Sequence, residues 1–241
     1  MHINENGQPI GAPVDNWSER PLPPFTTLEG LFSRLEVLDS EKHARDLFEA
    51  NSLDTRGKIW GYLPYGPYQS FDTYNDWVKT VAGKPDPMFY AIIDKVSNKA
   101  LGVASYMRVN PLAGSIEVGH INYSPALQKS IIATEAMYLM MRRTFSELGY
   151  RRYEWKCNDL NEGSKSAAER LGFTYEGTFR QSAVVKGRNR GTAWFSMLDS
   201  EWPAIDDAFK SWLSPTNFDE NGEQKASLSK LTRDALSNVT A

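Results

Sequence analysis

A single cysteine, Cys157, stands in a chain of 241 residues, and three histidines (His2, His43 and His120) are scattered along it. One thiol excludes an intramolecular disulfide, so nothing here calls for an oxidising compartment. So few thiol and imidazole groups, so widely spaced, also exclude the usual zinc motifs, and no metal is expected. Long apolar runs are missing as well. No stretch approaches the roughly 18 residues that a membrane span needs, and the opening MHINENGQPIGAPVDNW is polar where a signal peptide would be apolar. Excess positive charge is absent too: a formal net charge of -3 leaves no electrostatic footprint for nucleic acid. The expectation is a soluble cytoplasmic protein with no membrane and no direct nucleic-acid partner.

What is present belongs to a folded α/β protein. A 41% hydrophobic content beside 24% charged residues excludes a disordered or fibrous class. Residues 1–29, rich in Pro, Gly and Asn, read as an extended arm, 30–213 as the catalytic-size domain, and 214–241 as a polar, flexible tail. Ala226–Leu236 carry a weak helical pattern within that tail. In the domain, Phe32–Leu38 reads as a strand and Glu41–Ala50 as a helix capped by Ser40. An aromatic loop, IWGYLPYGPYQSF, leads to a helix over Asp72–Val81. Strands follow at Met88–Asp94, Ala100–Arg108 and Ser115–Tyr123, joined by the turns KVSN and NPLAG.

A helix is expected from about Ser130 to Leu148, its methionine-rich face forming core, with Arg142, Arg143 and Glu147 turned away and Gly149 as the φ > 0 terminator. Arg152–Cys157 alternates as a strand, and Asn161 caps a helix ending at Leu171–Gly172. Thr178–Val185 and Gly191–Leu198 form a hairpin through KGRN, and Trp202–Trp212 closes as a helix.

One junction carries chemistry. SIEVGHINY runs through the turn SPALQKS straight into the long helix, so free backbone N–H groups and the helix dipole face whatever binds at Gln128–Thr134. Such a helix start favours phosphate.

Three motifs, in order, resemble the GNAT acyltransferase superfamily and its branch similar to the ribosomal-protein acetyltransferases RimJ and RimL. Gln128-x-x-Ile131-x-Ala133-Thr134-Glu135-Ala136 is similar to the pyrophosphate loop with its following TEA. Asn161-Glu162-Gly163-Ser164 with Leu171-Gly172-Phe173 and Glu176-Gly177 resembles N-x-x-S…L-G-F…E-G. AWFSMLDSEWP resembles the last strand and exit helix. The resemblance covers about residues 32–203 and implies a single mixed, mostly antiparallel twisted sheet, splayed at its centre and flanked by helices. Two departures stand out: Ile131 replaces the loop glycine, and Ala168 replaces a tyrosine suited to protonating a leaving thiolate.

The resemblance further implies acetyl-CoA as acyl donor and a primary amine as acceptor, either a small molecule or a protein N-terminus, attacking the thioester directly. A homodimer is compatible with it. Two alternatives remain open: a non-catalytic acyl-CoA-binding or interaction protein on the same fold, and an enzyme that uses another acyl-CoA.

Amine attack needs a proton acceptor, and thiolate departure needs donors. Glu117, in an apolar strand eleven residues before Gln128, is the expected base, and a cross-strand pair with Arg108 is the alternative. His120 alternates to the other face unless a bulge re-aims it, in which case it becomes a second base acting through water. Ser164 is the expected donor to sulfur. Cofactor contacts are expected from Ile121, Asn122 and Tyr123 on the strand, from Gln128, Lys129, Ser130, Ile131, Ile132, Ala133 and Thr134 at the helix start, and from Asn161 and Ser164. Trp60, Tyr62, Tyr65 and Tyr68, with His120 and Arg180, are candidates for the acceptor pocket. Arg180 and the basic turn Lys186–Arg190 have three readings: recognition of an acidic acceptor group, contact with the cofactor's 3′-phosphate, and a solvated hairpin. Cys157 reads as inert core.

Overall fold

Alternating side chains in Met88–Asp94 sort into two cores, and that sorting fixes the layers. Met88, Tyr90 and Ile92 join one buried cluster while Phe89, Ala91 and Ile93 join another, so this strand is covered on both faces. The computed structural model describes residues 2–220 and 222–239. In chain order the elements are β1 (His2–Ile3), β2 (Pro9–Ile10), β3 (Leu28–Glu29), β4 (Ser33–Val37), α1 (Ser40–Asn51), α2 (Phe71–Val81), β5 (Met88–Asp94), β6 (Lys99–Asn110) and β7 (Ser115–Tyr123). They continue as α3 (Ile131–Arg142), β8 (Arg152–Asn158), α4 (Glu162–Arg170), β9 (Thr174–Val185), β10 (Arg188–Leu198), α5 (Trp202–Leu213) and α6 (Leu228–Val239). β1 and β2 form a separate small hairpin. The main sheet has eight strands in the order β3-β4-β5-β6-β7-β8-β10-β9. Every neighbouring pair in it is antiparallel except β7 and β8. The mixed, mostly antiparallel sheet flanked by helices is the expected fold.

Local signals placed most elements and missed a few. Asp39, not Ser40, caps α1, its carboxylate accepting from Glu41 N and Lys42 N. An ionised acceptor beside the helix start outcompetes a neutral hydroxyl. The long helix leaves α geometry after Arg142 and widens into a π-type turn over Arg143–Glu147, with Gly149 at φ +68° beyond it. Arg143 is not turned to solvent. It is buried and donates to the carbonyls of Thr26 and Thr27, which ties the N-terminal arm to α3.

The polar C-terminal segment does not hang free. Leu228 and Thr232 are buried, α6 packs on α4 and α5, and Asn217 donates to the carbonyls of Trp212 and Ala226. A few apolar residues at helical spacing suffice for that docking, because the groove they fill already exists.

Glu135, from the TEA run, is a fold residue. Its carboxylate accepts from Leu31 N (2.7 Å), Phe32 N (2.8 Å), Ser33 N (2.6 Å) and Ser33 Oγ (2.8 Å). A Cβ on Gly30 would collide with it. This clasp fixes α3 against β3 and β4, and so sets where the helix begins.

Candidate active site

β7 and β8 pair in parallel only from Ser115–Arg152 to Val118–Trp155. Beyond that point β7 stays bonded to β6 and β8 to β10, so the sheet opens as a V between Gly119–Tyr123 and Lys156–Asn158. A cleft of about 1450 Å³ fills the opening and runs to the start of α3.

Two bulges shape its walls. Val103 faces Asn122 while Ser105 faces Gly119, so two β7 residues, His120 and Ile121, oppose the single Ala104 on β6, and His120 takes φ +51°. A second shift lies between the Met107–Glu117 and Asn110–Ser115 pairs, with Arg108 at φ +47°. The Asp86 carboxylate accepts from Arg108 N and Val109 N and holds that second bulge in place. Extra residues of this kind re-aim side chains. Here they bring Arg108 and His120 to the same cleft as Glu117. Gly119 is confined by the same bulge, because a Cβ there would meet Met107 Sδ.

Glu117 is 3% exposed and sits between two cations. Arg108 Nη1 donates to Oε1 at 2.7 Å, and Lys156 Nζ makes an ion-pair contact with Oε2 at 2.8 Å. Lys156 also contacts Glu154 at 2.7 Å and lies 3.8 Å from the centre of the Trp194 ring. The Arg108 pair named as the alternative for Glu117 is therefore present, with Lys156 added to it. His120 Nδ1 lies 3.2 Å from Tyr65 Oη, and the ring stacks on Tyr65. Burial, seconded by the charge of Arg108 and opposed by Asp86, lowers its pKa to about 4, so the imidazole is neutral at physiological pH.

Ser164 Oγ lines the cleft and accepts from Trp155 Nε1 at 3.0 Å, with the Cys157 thiol also in hydrogen-bonding reach of its hydroxyl. Asn161 caps α4 by accepting from Ser164 N. Ala168 is fully buried and lies outside the cleft lining. Cys157 is buried, as expected of a core residue, yet it also lines the cleft, and burial raises its thiol pKa.

At the other end, Ser130 caps α3, its Oγ accepting from Ala133 N. The N–H groups of Ile131 and Ile132 have no acceptor within the helix. Lys129, at φ +59°, takes the turn's left-handed position, so Ile131 is an ordinary first helical residue and needs no glycine-like backbone. Gln128 donates to the Tyr123 carbonyl, and Arg170 donates to Thr134 Oγ1 while lying 5.3 Å from the centre of the Trp212 ring.

Of the residues read from sequence, Glu117, His120, Ile121, Tyr123, Gln128, Lys129, Ser130, Ile131, Ala133, Thr134, Asn161, Ser164 and Tyr62 line the cleft. Asn122 and Ile132 do not: Asn122 is buried and donates to Ile59 O, and Ile132 packs on the core. Trp60 and Tyr68 belong to the second core, where they contact each other and Tyr74 edge-on. Tyr65 acts behind His120. Tyr62, 44% exposed, donates to Leu160 O and so bridges the aromatic loop to the far wall. Arg180 is exposed on β9, outside the cleft lining. Strand pairing puts it on the outer strand of the sheet.

Arg190, from the basic turn read in the sequence, lines the cleft, whereas sequence reasoning missed Arg170 and the wall formed by Trp212, Pro215, Phe218 and Gln224. No local pattern marks these; one aromatic, Phe218, near the start of a polar tail was the only hint.

Residues 34–174 match the model of the "Acetyltransferase (GNAT) domain" family. A GCN5-related N-acetyltransferase from Brucella melitensis superposes with a TM-score of 0.89 at 44% identity, covering 91% of this chain and all of that one. One of the "probable acetyltransferases (GNAT family)" from Chromobacterium violaceum ATCC 12472 gives 0.75 at 40% identity, over 82% and 98%. Among characterised sequences, "Probable N-acetyltransferase YjcK" of Bacillus subtilis (strain 168) is 26% identical over 161 residues, 64% of this chain and 84% of that protein. A split sheet over a helix start, a family model matched across the split, and relatives of this identity together make the chain a member of the GNAT acetyltransferase family and an acyltransferase.

Proposed function

We propose that the protein transfers an acetyl group from acetyl-coenzyme A to a primary amine. The observation that carries this reading is the early end of the β7–β8 pairing, which leaves the edge of Gly119–Tyr123 free and leads directly to unpaired N–H groups at the start of α3. A long ligand with amides along its arm and phosphates at one end fits those donors. Ser130, Ile131, Ile132 and Thr134, with Lys129 and Arg170, would hold the phosphate end, and Trp212 and Phe218 would wall it. Asn161 and the Ile121–Tyr123 edge would hold the arm. When bound, the coenzyme supplies an activated acetyl thioester.

The chain's own residues divide the remaining work. Accepting a proton at Glu117 would disrupt two ion pairs, whereas His120 is neutral and faces the same cleft. We therefore assign proton acceptance to His120 and give Glu117 the task of fixing Arg108 and Lys156 on the cleft floor. The assignment requires the tautomer in which Nδ1–H donates to Tyr65 Oη, leaving Nε2 as acceptor. The Ser164 hydroxyl, held by Trp155, donates to the departing sulfur. The N-x-x-S helix and exit helix support a place near the RimJ/RimL branch, and the lone buried cysteine fits a reducing cytoplasm.

Calorimetry with coenzyme A and a thiol-release assay across an amine panel test the reading. Binding together with thiol release for at least one amine is expected. Absence of both would overturn it.

A further inference from the structure

Among the described residues, Arg190, like Lys58 and Lys129, lines the cleft without a hydrogen-bond or ion-pair partner for its side chain, and of these three it alone has a nitrogen shut off from solvent. Arg108 and Lys156 hold Glu117, Arg170 donates to Thr134, and Lys186 beside the cleft is spent on the carbonyls of Trp60 and Tyr65. Arg190 lies on β10 beside the C-terminal end of β8. The carbonyl of its neighbour Gly191 accepts from Asp159 N, and Thr192 pairs with Asn158. The side chain lines the cleft, and its Nε is shut off from solvent with no hydrogen-bond acceptor. Among the described residues it has no ion pair. Asn158 and Asp159 lead directly into the Asn161 cap of α4, so Arg190 stands at the Ser164 end of that helix. The phosphate end proposed above lies at Arg170, six residues on and about 9 Å along the helix. Arg190 is therefore set apart from the phosphate end of the cleft.

A desolvated guanidinium N–H without an acceptor is matched by an anion with coplanar oxygens, because the fork binds a carboxylate through two parallel hydrogen bonds. We infer that the acceptor amine carries a carboxylate, recognised by Arg190. This rests on the amine-acetylation reading and narrows its substrate class to amino-acid-type amines.

Matched acceptors test it with the full chain: free amino acids against their amides, and a peptide with an acidic second residue against the same peptide with the corresponding amide. The wild type should favour the acid by roughly tenfold or more in kcat/KM, as a charge-assisted bidentate contact allows. Arg190→Gln should lose that preference through KM for the acid, and Arg190→Lys should restore part of it. Coenzyme A affinity should not move in either variant. The two acid and amide pairs separate a free amino acid from a protein N-terminus as the source. Equal use of acid and amide by the wild type would overturn the inference, as would a preference that survives in Arg190→Gln. So would an equal loss for every acceptor, which would place Arg190 on the thioester, or a preference that follows a succinyl over an acetyl donor. Titration of tryptophan fluorescence with amino acid and amide reads binding without turnover. If coenzyme A does not bind, the acetylation reading fails alone, and this titration in wild type and Arg190→Gln still decides the carboxylate site.

Discussion

The corner where α3 meets the β3–β4 turn and the floor of the cleft each bury a carboxylate to 3% exposure. At the corner, Glu135 takes its hydrogen bonds from three backbone N–H groups and one hydroxyl, all neutral and all held by the fold. On the floor, Glu117 faces two cations, Arg108 with a side chain 59% exposed and Lys156 with one 9% exposed. The first arrangement closes a corner and opens onto nothing. The second keeps charged side chains in position beside a cleft. Burial of an acid therefore does not mark a functional site; the charge of its partners and their place beside a cleft do.

The largest expected effect tests the floor. His120→Asn should lower kcat by roughly 10²–10⁴-fold, as loss of a general base does, with coenzyme A affinity unchanged in calorimetry. The same residue gives a pH signature. Its folded pKa of about 4 lies below the ordinary 6.5, so the unfolded chain binds more protons between those values. Stability is then complete above pH 6.5 and falls as the pH drops towards 4, by up to about 3 kcal/mol. Urea midpoints across that range should flatten in His120→Asn.

Next comes the corner. Glu135→Ala leaves three backbone donors without acceptors and should cost on the order of 3–4 kcal/mol in urea unfolding. Activity per folded molecule should be retained. A fully stable variant would break the comparison, because it would mean the corner does not depend on its carboxylate.

The smallest effect is expected from Glu117→Gln. Lys156 keeps Glu154, and Arg108 reaches water, so the stability cost should be about 1–2 kcal/mol, below the loss typical of a stranded buried charge. Turnover should fall by less than about tenfold if the proton goes to His120. A loss of several hundredfold in Glu117→Gln, with little effect from His120→Asn, would return the base to Glu117.

The sequence made the strands, the helices and the helix-start site legible because each rests on local chemistry. An apolar run between turns marked β5, alternation marked β8, an apolar face marked α3, the Asn161 cap marked α4, and Gly149 marked the end of the long helix. Where two local signals competed, the nearer one was misread, as with Ser40 beside Asp39. The acceptor side was less legible. Four aromatics in one loop look alike along the chain, but of the four only Tyr62 reaches the cleft; Trp60 and Tyr68 fill a core built with residues of α1, α2, β5 and β6.

By itself the sequence determined which segments pair and coil, where orphan N–H groups would gather at Ser130–Thr134, and that Glu117 had a partner in Arg108 as one of two readings. Only the tertiary structure decided the rest. A bulge is a mismatch between two strands, so the turn of His120 into the cleft could be stated in advance only as a condition. The clasp of Glu135 joins residues a hundred positions apart. Arg190 became distinctive only once its Nε was shut off from solvent without an acceptor, and that burial exists in space, not along the chain.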